Sequence, residues 1–144
     1  MERLVIAAAI IILVGAVALI SRKRRVADAP TQREYAVPQQ LDRSDFARPD
    51  APWLVAVFSS ATCDVCAGVA ERAAVLESDE VAVTVVEFDA SRALHEKYKI
   101  DAVPTLVVVD AQGVTKKHFL GPVNSTDMWA AVAEAREPGS APGH

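Results

Sequence analysis

Trp53 to Ser59 (WLVAVFS) is an almost continuous apolar run, closed in front by Pro52 and behind by the polar pair Ser59-Ser60, and it admits few folds. A strand with one face in water alternates apolar and polar side chains, so a short run without alternation reads as a strand buried on both faces. Val81 to Phe88 (VAVTVVEF) repeats the pattern. Thr105 to Asp110 (TLVVVD) and Val114 to Leu120 read as two further strands, and the tight, Gly-bearing link Ala111-Gln112-Gly113 between them marks a hairpin. Helical patterns lie between: a short one over Asp42 to Phe46, one over Ala67 to Leu76 with Glu71 and Arg72 on one side, and one over Ser91 to Tyr98. In the last of these Leu94 and Tyr98 share a face, with His95 and Lys99 beside them. Asn124 or Ser125 caps a closing helix that runs to Ala135 and has Met128, Trp129 and Val132 as its apolar face. Strands alternating with helices, then a hairpin, imply an α/β fold: a mixed central sheet, parallel in part, covered on both faces and finished by an antiparallel edge.

The N-terminal segment has a different character. From Leu4 to Ile20 there is no charged or polar side chain. A helix over those 17 residues spans about 26 Å at ~1.5 Å per residue, against a hydrocarbon core of ~30 Å, and flanking Arg side chains reach outward to close the gap. A single membrane-spanning helix is the expected reading. Ala16-Val17-Ala18 also fits the small-x-small pattern of a cleaved signal peptide, but such a peptide carries its positive charge before the apolar run, and here most of it follows. Arg22, Lys23, Arg24 and Arg25 stand after the run against Arg3 and the terminal amine before it. That asymmetry places the rest of the chain on the cytoplasmic side, with an extracytoplasmic domain as the alternative. Residues 1–25 form the anchor with its basic flank, and 26–40, with Pro30, Pro38 and three Gln, form a linker into a first short strand or loop. Residues 41–136 form the domain, and the Pro/Gly/Ser-rich 137–144 a disordered tail. The first 25 residues carry five Arg or Lys against Glu2, a charge of +4, which leaves −8 on the remainder out of −4 overall. An acidic domain excludes nucleic acid as its partner, because phosphate binding needs clustered Lys and Arg.

Both cysteines lie in Cys63-Asp64-Val65-Cys66, between an expected buried strand and an expected helix. Free N–H groups and the positive end of the dipole at a helix N-terminus stabilise a thiolate, so Cys63 gains nucleophilicity. Cys66, three residues on and one turn into the helix, is within reach to form or resolve a disulfide with it. A zinc site needs four ligands, and only His95, His118 and His144 remain, at spacings that match no finger or ribbon pattern. A purely structural disulfide would close a loop too short to contribute much chain entropy. The expected function is thiol-disulfide exchange with protein disulfides or dithiols, with no bound cofactor and no metal. A membrane redox partner is a further expectation, because a tether concentrates the domain near it. The rival, of another class, is a binding or scaffolding module that does not turn over. His95 and His118 are expected on a helix surface and a strand face without catalytic duty, and Trp53 and Trp129 in packing.

The run Phe58 to Cys66, the strand ending Glu87-Phe88-Asp89, the segment Tyr98 to Thr105 with its Val103-Pro104-Thr105 step, and Gly121 after the last strand resemble the thioredoxin family in order and spacing, over about residues 40–135. The resemblance implies a thioredoxin-like fold and a protein-disulfide oxidoreductase. It also implies that Pro104 follows a cis peptide bond and packs beside Cys63, that the Val103 backbone is free to pair with an extended segment of substrate, and that Thr62, Val103 and Pro104 contact the substrate. Departures from the family pattern are specific. Thr62 stands where the family has Trp, and Asp64-Val65 where it has Gly-Pro. The acidic Asp64 works against the neighbouring thiolate. The family's buried acid aligns with Val57 and its lysine partner with Val85, so both charges are absent together. Glu87 lies on the same strand face as Val85, where it either replaces the missing acid or is a solvated strand-end carboxylate.

Overall fold

The computed structural model describes residue 1, residue 6, residues 10–17 and residues 35–140. The chain divides into two compact units, 1–34 and 35–144. In the first, residues 10–17 are helical and expose Ile10, Ile11, Ile12, Leu13, Val14 and Val17. Among the described residues no helix is long and apolar enough to cross a membrane. Residues 4–5, 7–9 and 18–20 of the span expected over 4–20, and the basic flank after it, lie outside the described residues.

The second unit has the expected alternation. In order come a short 3-10 turn (Arg43–Asp45), β1 (Trp53–Ser59), α1 (Cys66–Ala74), β2 (Val81–Glu87), α2 (Arg92–Lys97), β3 (Thr105–Val109), β4 (Thr115–Leu120) and α3 (Ser125–Arg136). The four strands form one sheet in the order β2-β1-β3-β4. β1 pairs parallel with β2 and antiparallel with β3, and β3 pairs antiparallel with β4. β1 is central, and Leu54 to Phe58 have no exposed surface at all. Its side chains alternate between two cores. Leu54, Ala56 and Phe58 pack with Leu41, Phe46, Val86, Tyr98 and Val107 on one face. On the other, Val55 and Val57 pack with Val69 and Ala73 of α1 and with Met128 and Val132 of α3. The apolar run lacks alternation because both alternations are buried.

The segment before the domain is bound to it at its end. Thr115 donates its N–H to the Gln39 carbonyl (3.0 Å) and its hydroxyl to that of Pro38 (2.7 Å), and Leu41 N–H reaches the Gly113 carbonyl (2.8 Å). Gly113 has φ +81°, and a Cβ there would lie 1.9 Å from the Leu41 carbonyl oxygen, so this crossing demands glycine.

Three packing expectations are corrected. β2 is an edge strand, not a second strand buried throughout: Val81, Ala82 and Val86 are buried, but Val85 is 45% exposed. Trp129 is 52% exposed and lies outside the apolar face of α3, because Met128 and Val132, one turn apart, set the buried stripe and Trp129 falls about 100° round from Met128. His95 is buried, not on the helix surface. Its ring meets Phe58 and Phe88 edge-on, and Nε2 lies 2.9 Å from the Val86 carbonyl, which satisfies a nitrogen that burial would otherwise strand. Of the expected tail, residues 137–140 are described, and Glu137, Gly139 and Ser140 each donate a backbone N–H to a partner in α3 or at its end. Residues 141–144 lie outside the described ones.

Asp45 joins the turn to α2. Its carboxylate accepts from Lys97 Nζ (2.6 Å) and from the Tyr98 hydroxyl, and these two bonds, the lysine's first, hold it below the ordinary carboxylate range. A carboxylate whose folded value lies below its unfolded one contributes stability that is present above about pH 4 and is lost as pH falls through the folded value. Urea unfolding as a function of pH should show this acid-side loss, and Asp45→Asn should flatten it while lowering stability at neutral pH.

Candidate active site

β1 delivers the chain to the site. After Ser59 the backbone turns through residues 60–65, with Cys63 N–H donating to the Ser60 carbonyl (3.1 Å) and Cys66 N–H to the Cys63 carbonyl (3.2 Å). Cys63 and Cys66 are joined by a disulfide, with their Cα atoms 5.4 Å apart. Cys66 is the first residue of α1, so the expected placement one turn into the helix is corrected: the pair brackets the turn that enters it. No side chain caps this N-terminus, and its dipole points at the sulfurs. Cys66 is 2% exposed, and Cys63 is half-buried at the surface. That asymmetry leaves one sulfur open to solvent and the other enclosed.

The second loop comes from the start of β3. The Val103-Pro104 peptide bond is cis, Pro104 is buried, and Cys63 Sγ lies 4.0 Å from the Val103 carbonyl oxygen. Gly121, at φ +86°, donates its N–H to the Pro104 carbonyl (2.8 Å), and the Thr105 hydroxyl donates to the Ala102 carbonyl (2.7 Å). The two loops meet because antiparallel pairing sets Phe58 opposite Thr105, the end of β1 against the start of β3. Thr62 is exposed beside Cys63, and its hydroxyl lies 3.0 Å from that of Ser60. His118, exposed on β4, and Trp129, on α3, are not among the residues gathered here. His95 lies behind β2, in the core.

A depression of about 190 Å³ opens beside the sulfurs, lined by Ser59, Ala61, Cys63, Cys66, Ala70 and Glu87 among others. Val57 and Val85 are direct cross-strand partners, with Val57 wholly buried, so the charge pair absent from the sequence is absent from one spot in the sheet. Glu87 is not free in solvent. Its carboxylate accepts from Ala90 N–H (2.9 Å) and Ala61 N–H (3.1 Å), and these bonds hold it below the ordinary carboxylate range. A group so held stays ionised at neutral pH, which is unfavourable for accepting a proton from a thiol. Sequence reasoning placed Glu87 on the right strand face but missed its bond to the cysteine loop, which depends on the β1–β2 register. Among the described residues no group of three His, Cys, Asp or Glu is placed to hold a metal ion.

No protein-family model matches the sequence, and no curated protein does. Solved structures do match in fold. A mutant thioredoxin from Halobacterium salinarum superposes with a TM-score of 0.57 at 22% identity, over 71% of this chain and 96% of that one. Fasciola hepatica thioredoxin gives 0.52 at 25% identity, over 60% and 84%. A malarial protein gives 0.54 at 17% identity, over 58% and 97%.

The disulfide spans a sequence separation of three, and a loop that short contributes about 2 kcal/mol at most through chain entropy. The fold, carried by two apolar cores, should therefore survive reduction. Urea unfolding with and without dithiothreitol should show a loss no larger than that, with native circular dichroism retained.

Proposed function

From the thioredoxin-like fold and the half-buried Cys63 beside the Val103 carbonyl, we propose that this chain is a protein thiol-disulfide oxidoreductase. The observation that carries the reading is the unequal exposure of two bonded sulfurs at the mouth of a helix. In the reduced form the Cys63 thiolate attacks one sulfur of a substrate disulfide. A mixed disulfide forms, and the other substrate sulfur leaves as a thiolate that takes a proton. Cys66, once deprotonated, attacks the Cys63 sulfur, closes the Cys63–Cys66 disulfide and expels the second substrate thiol. Two electrons pass from the pair to the substrate, and the reverse sequence oxidises a substrate dithiol. The backbone of Val103 offers an extended substrate segment a hydrogen-bonding edge next to the reacting sulfur, with Thr62 on the neighbouring loop.

Cys66→Ser should accumulate a mixed disulfide through Cys63 that is released by dithiothreitol, whereas Cys63→Ser should accumulate none. Gel shift under non-reducing conditions with a disulfide-bonded protein substrate reads both. A correctly folded Cys66→Ser variant that traps nothing would overturn the reading in favour of a binding module.

The reading includes a tether: a membrane span over residues 4–20 with the domain on the cytoplasmic side. It is supported by the uninterrupted apolar sequence, the exposed apolar side chains of residues 10–17 and the basic run Arg22 to Arg25. Such a tether favours membrane-borne or membrane-proximal redox partners. A membrane-impermeant thiol reagent applied to intact cells should leave reduced Cys63 unlabelled until lysis. Labelling before lysis would place the domain on the outer side.

A further inference from the structure

Glu87 ends β2, and parallel pairing sets it beside Ser59, the last residue of β1. The register brings its side chain under the loop that carries the first cysteine. One carboxylate oxygen accepts from Ala61 N–H (3.1 Å), two residues before Cys63, and the other from Ala90 N–H (2.9 Å), in the turn after β2. Glu87 also lines the depression shared by Cys63 and Cys66, and apart from the cysteines it is the one titratable side chain among the described residues that line it. We propose that Glu87 is a positioning residue of the dithiol centre: its carboxylate clasps the loop that delivers Cys63, and its fixed negative charge at the shared depression makes a thiolate there harder to form.

This deepens the proposed function, resting on the premise that the pair cycles between disulfide and dithiol. Held by two backbone donors, the carboxylate stays charged across the range in which thiols titrate. Like charge at the shared depression disfavours a thiolate. The surrounding charges are mixed. Asp64, exposed between the cysteines, acts in the same direction as Glu87. Arg72 of α1, of opposite sign, does not line the depression: its guanidinium lies beside Gly68 and its Nε is bonded to the Val123 carbonyl (3.0 Å). Lys99 and Asp101, opposite in sign, sit on the segment leading to Val103; Asp127 is bonded to Asn124 at the start of α3; and His95 lies behind β2. Against the helix dipole, Glu87 holds the reactive thiol closer to its ordinary value than a helix N-terminus alone would set it.

The test follows the alkylation rate of the reduced full-length chain by iodoacetamide against pH, for wild type, Glu87→Gln and Glu87→Asp, with thermal melting of each. Glu87→Gln should shift the alkylation midpoint down so that the thiolate fraction at pH 7 rises about threefold. Glu87→Asp keeps the charge but is too short to span both N–H groups, so its midpoint should stay with wild type while its melting temperature falls. A Glu87→Gln midpoint that stays put or rises, or a Glu87→Asp midpoint that falls as far as that of Glu87→Gln, would overturn the proposal, whatever happens to stability. Because the midpoint is read without any protein substrate, failure of wild type to reduce a protein disulfide would reject the exchange function and leave this result standing on its own.

Discussion

Complete burial of β1 is the constraint on which the rest of the domain depends. Leu54, Val55, Val57 and Phe58 have no exposed surface, and burial of each such side chain contributes about 1.5–3 kcal/mol. A strand with both faces in apolar surroundings needs neighbours on both edges and a layer on each side. β2 and β3 supply the edges. α1 and α3 cover one face, and the turn at Arg43–Asp45 with α2 covers the other. The hydrophobic requirement of one short strand thus accounts for most of the topology.

The same strand sets the chemistry by where it ends. Parallel register places Ser59 beside Glu87, and antiparallel register places Phe58 beside Thr105. Three loops therefore converge at one end of the sheet: residues 60–65 with the cysteines, residues 102–104 with the cis peptide, and the turn after Glu87. Ligand and reaction sites in open α/β sheets form at such strand ends because the backbone there is released from pairing and its N–H and carbonyl groups are available. Here those groups are largely committed to holding the loops, and one carbonyl, that of Val103, is presented beside the outer sulfur.

The polar design of the site differs from a simple activated-thiol arrangement. The helix dipole at the mouth of α1 favours a thiolate, whereas the carboxylates of Asp64 and Glu87 lie on the loop and at the depression beside it. The sheet position behind the pair is apolar, with Val57 packed into the α1 and α3 core and Val85 open to solvent on the edge strand. A charged acid at position 57 would be buried with no partner, and its absence removes that cost.

Much of this was legible in the amino-acid sequence because it depends on neighbours in the chain. Strand β1, the hairpin link at Gly113, the Asn124 cap and the cysteine pair at a strand-to-helix junction follow from local apolar pattern, turn chemistry and spacing. Contacts between distant segments were not legible. His95 reads as a surface residue until Phe58, Val86 and Phe88 are packed round it, Trp129 as a core residue until Met128 and Val132 fix the rotation of α3, and β2 as buried until the sheet order puts it at the edge. Chain order and apolar pattern were enough to bring two cysteines to the mouth of a helix behind a buried strand. Which groups face them, Val103 on one side and Glu87 on the other, was left to the packed sheet. Strand register is set by side-chain packing across the sheet, and a shift of one residue in β2 would turn Glu87 to the opposite face.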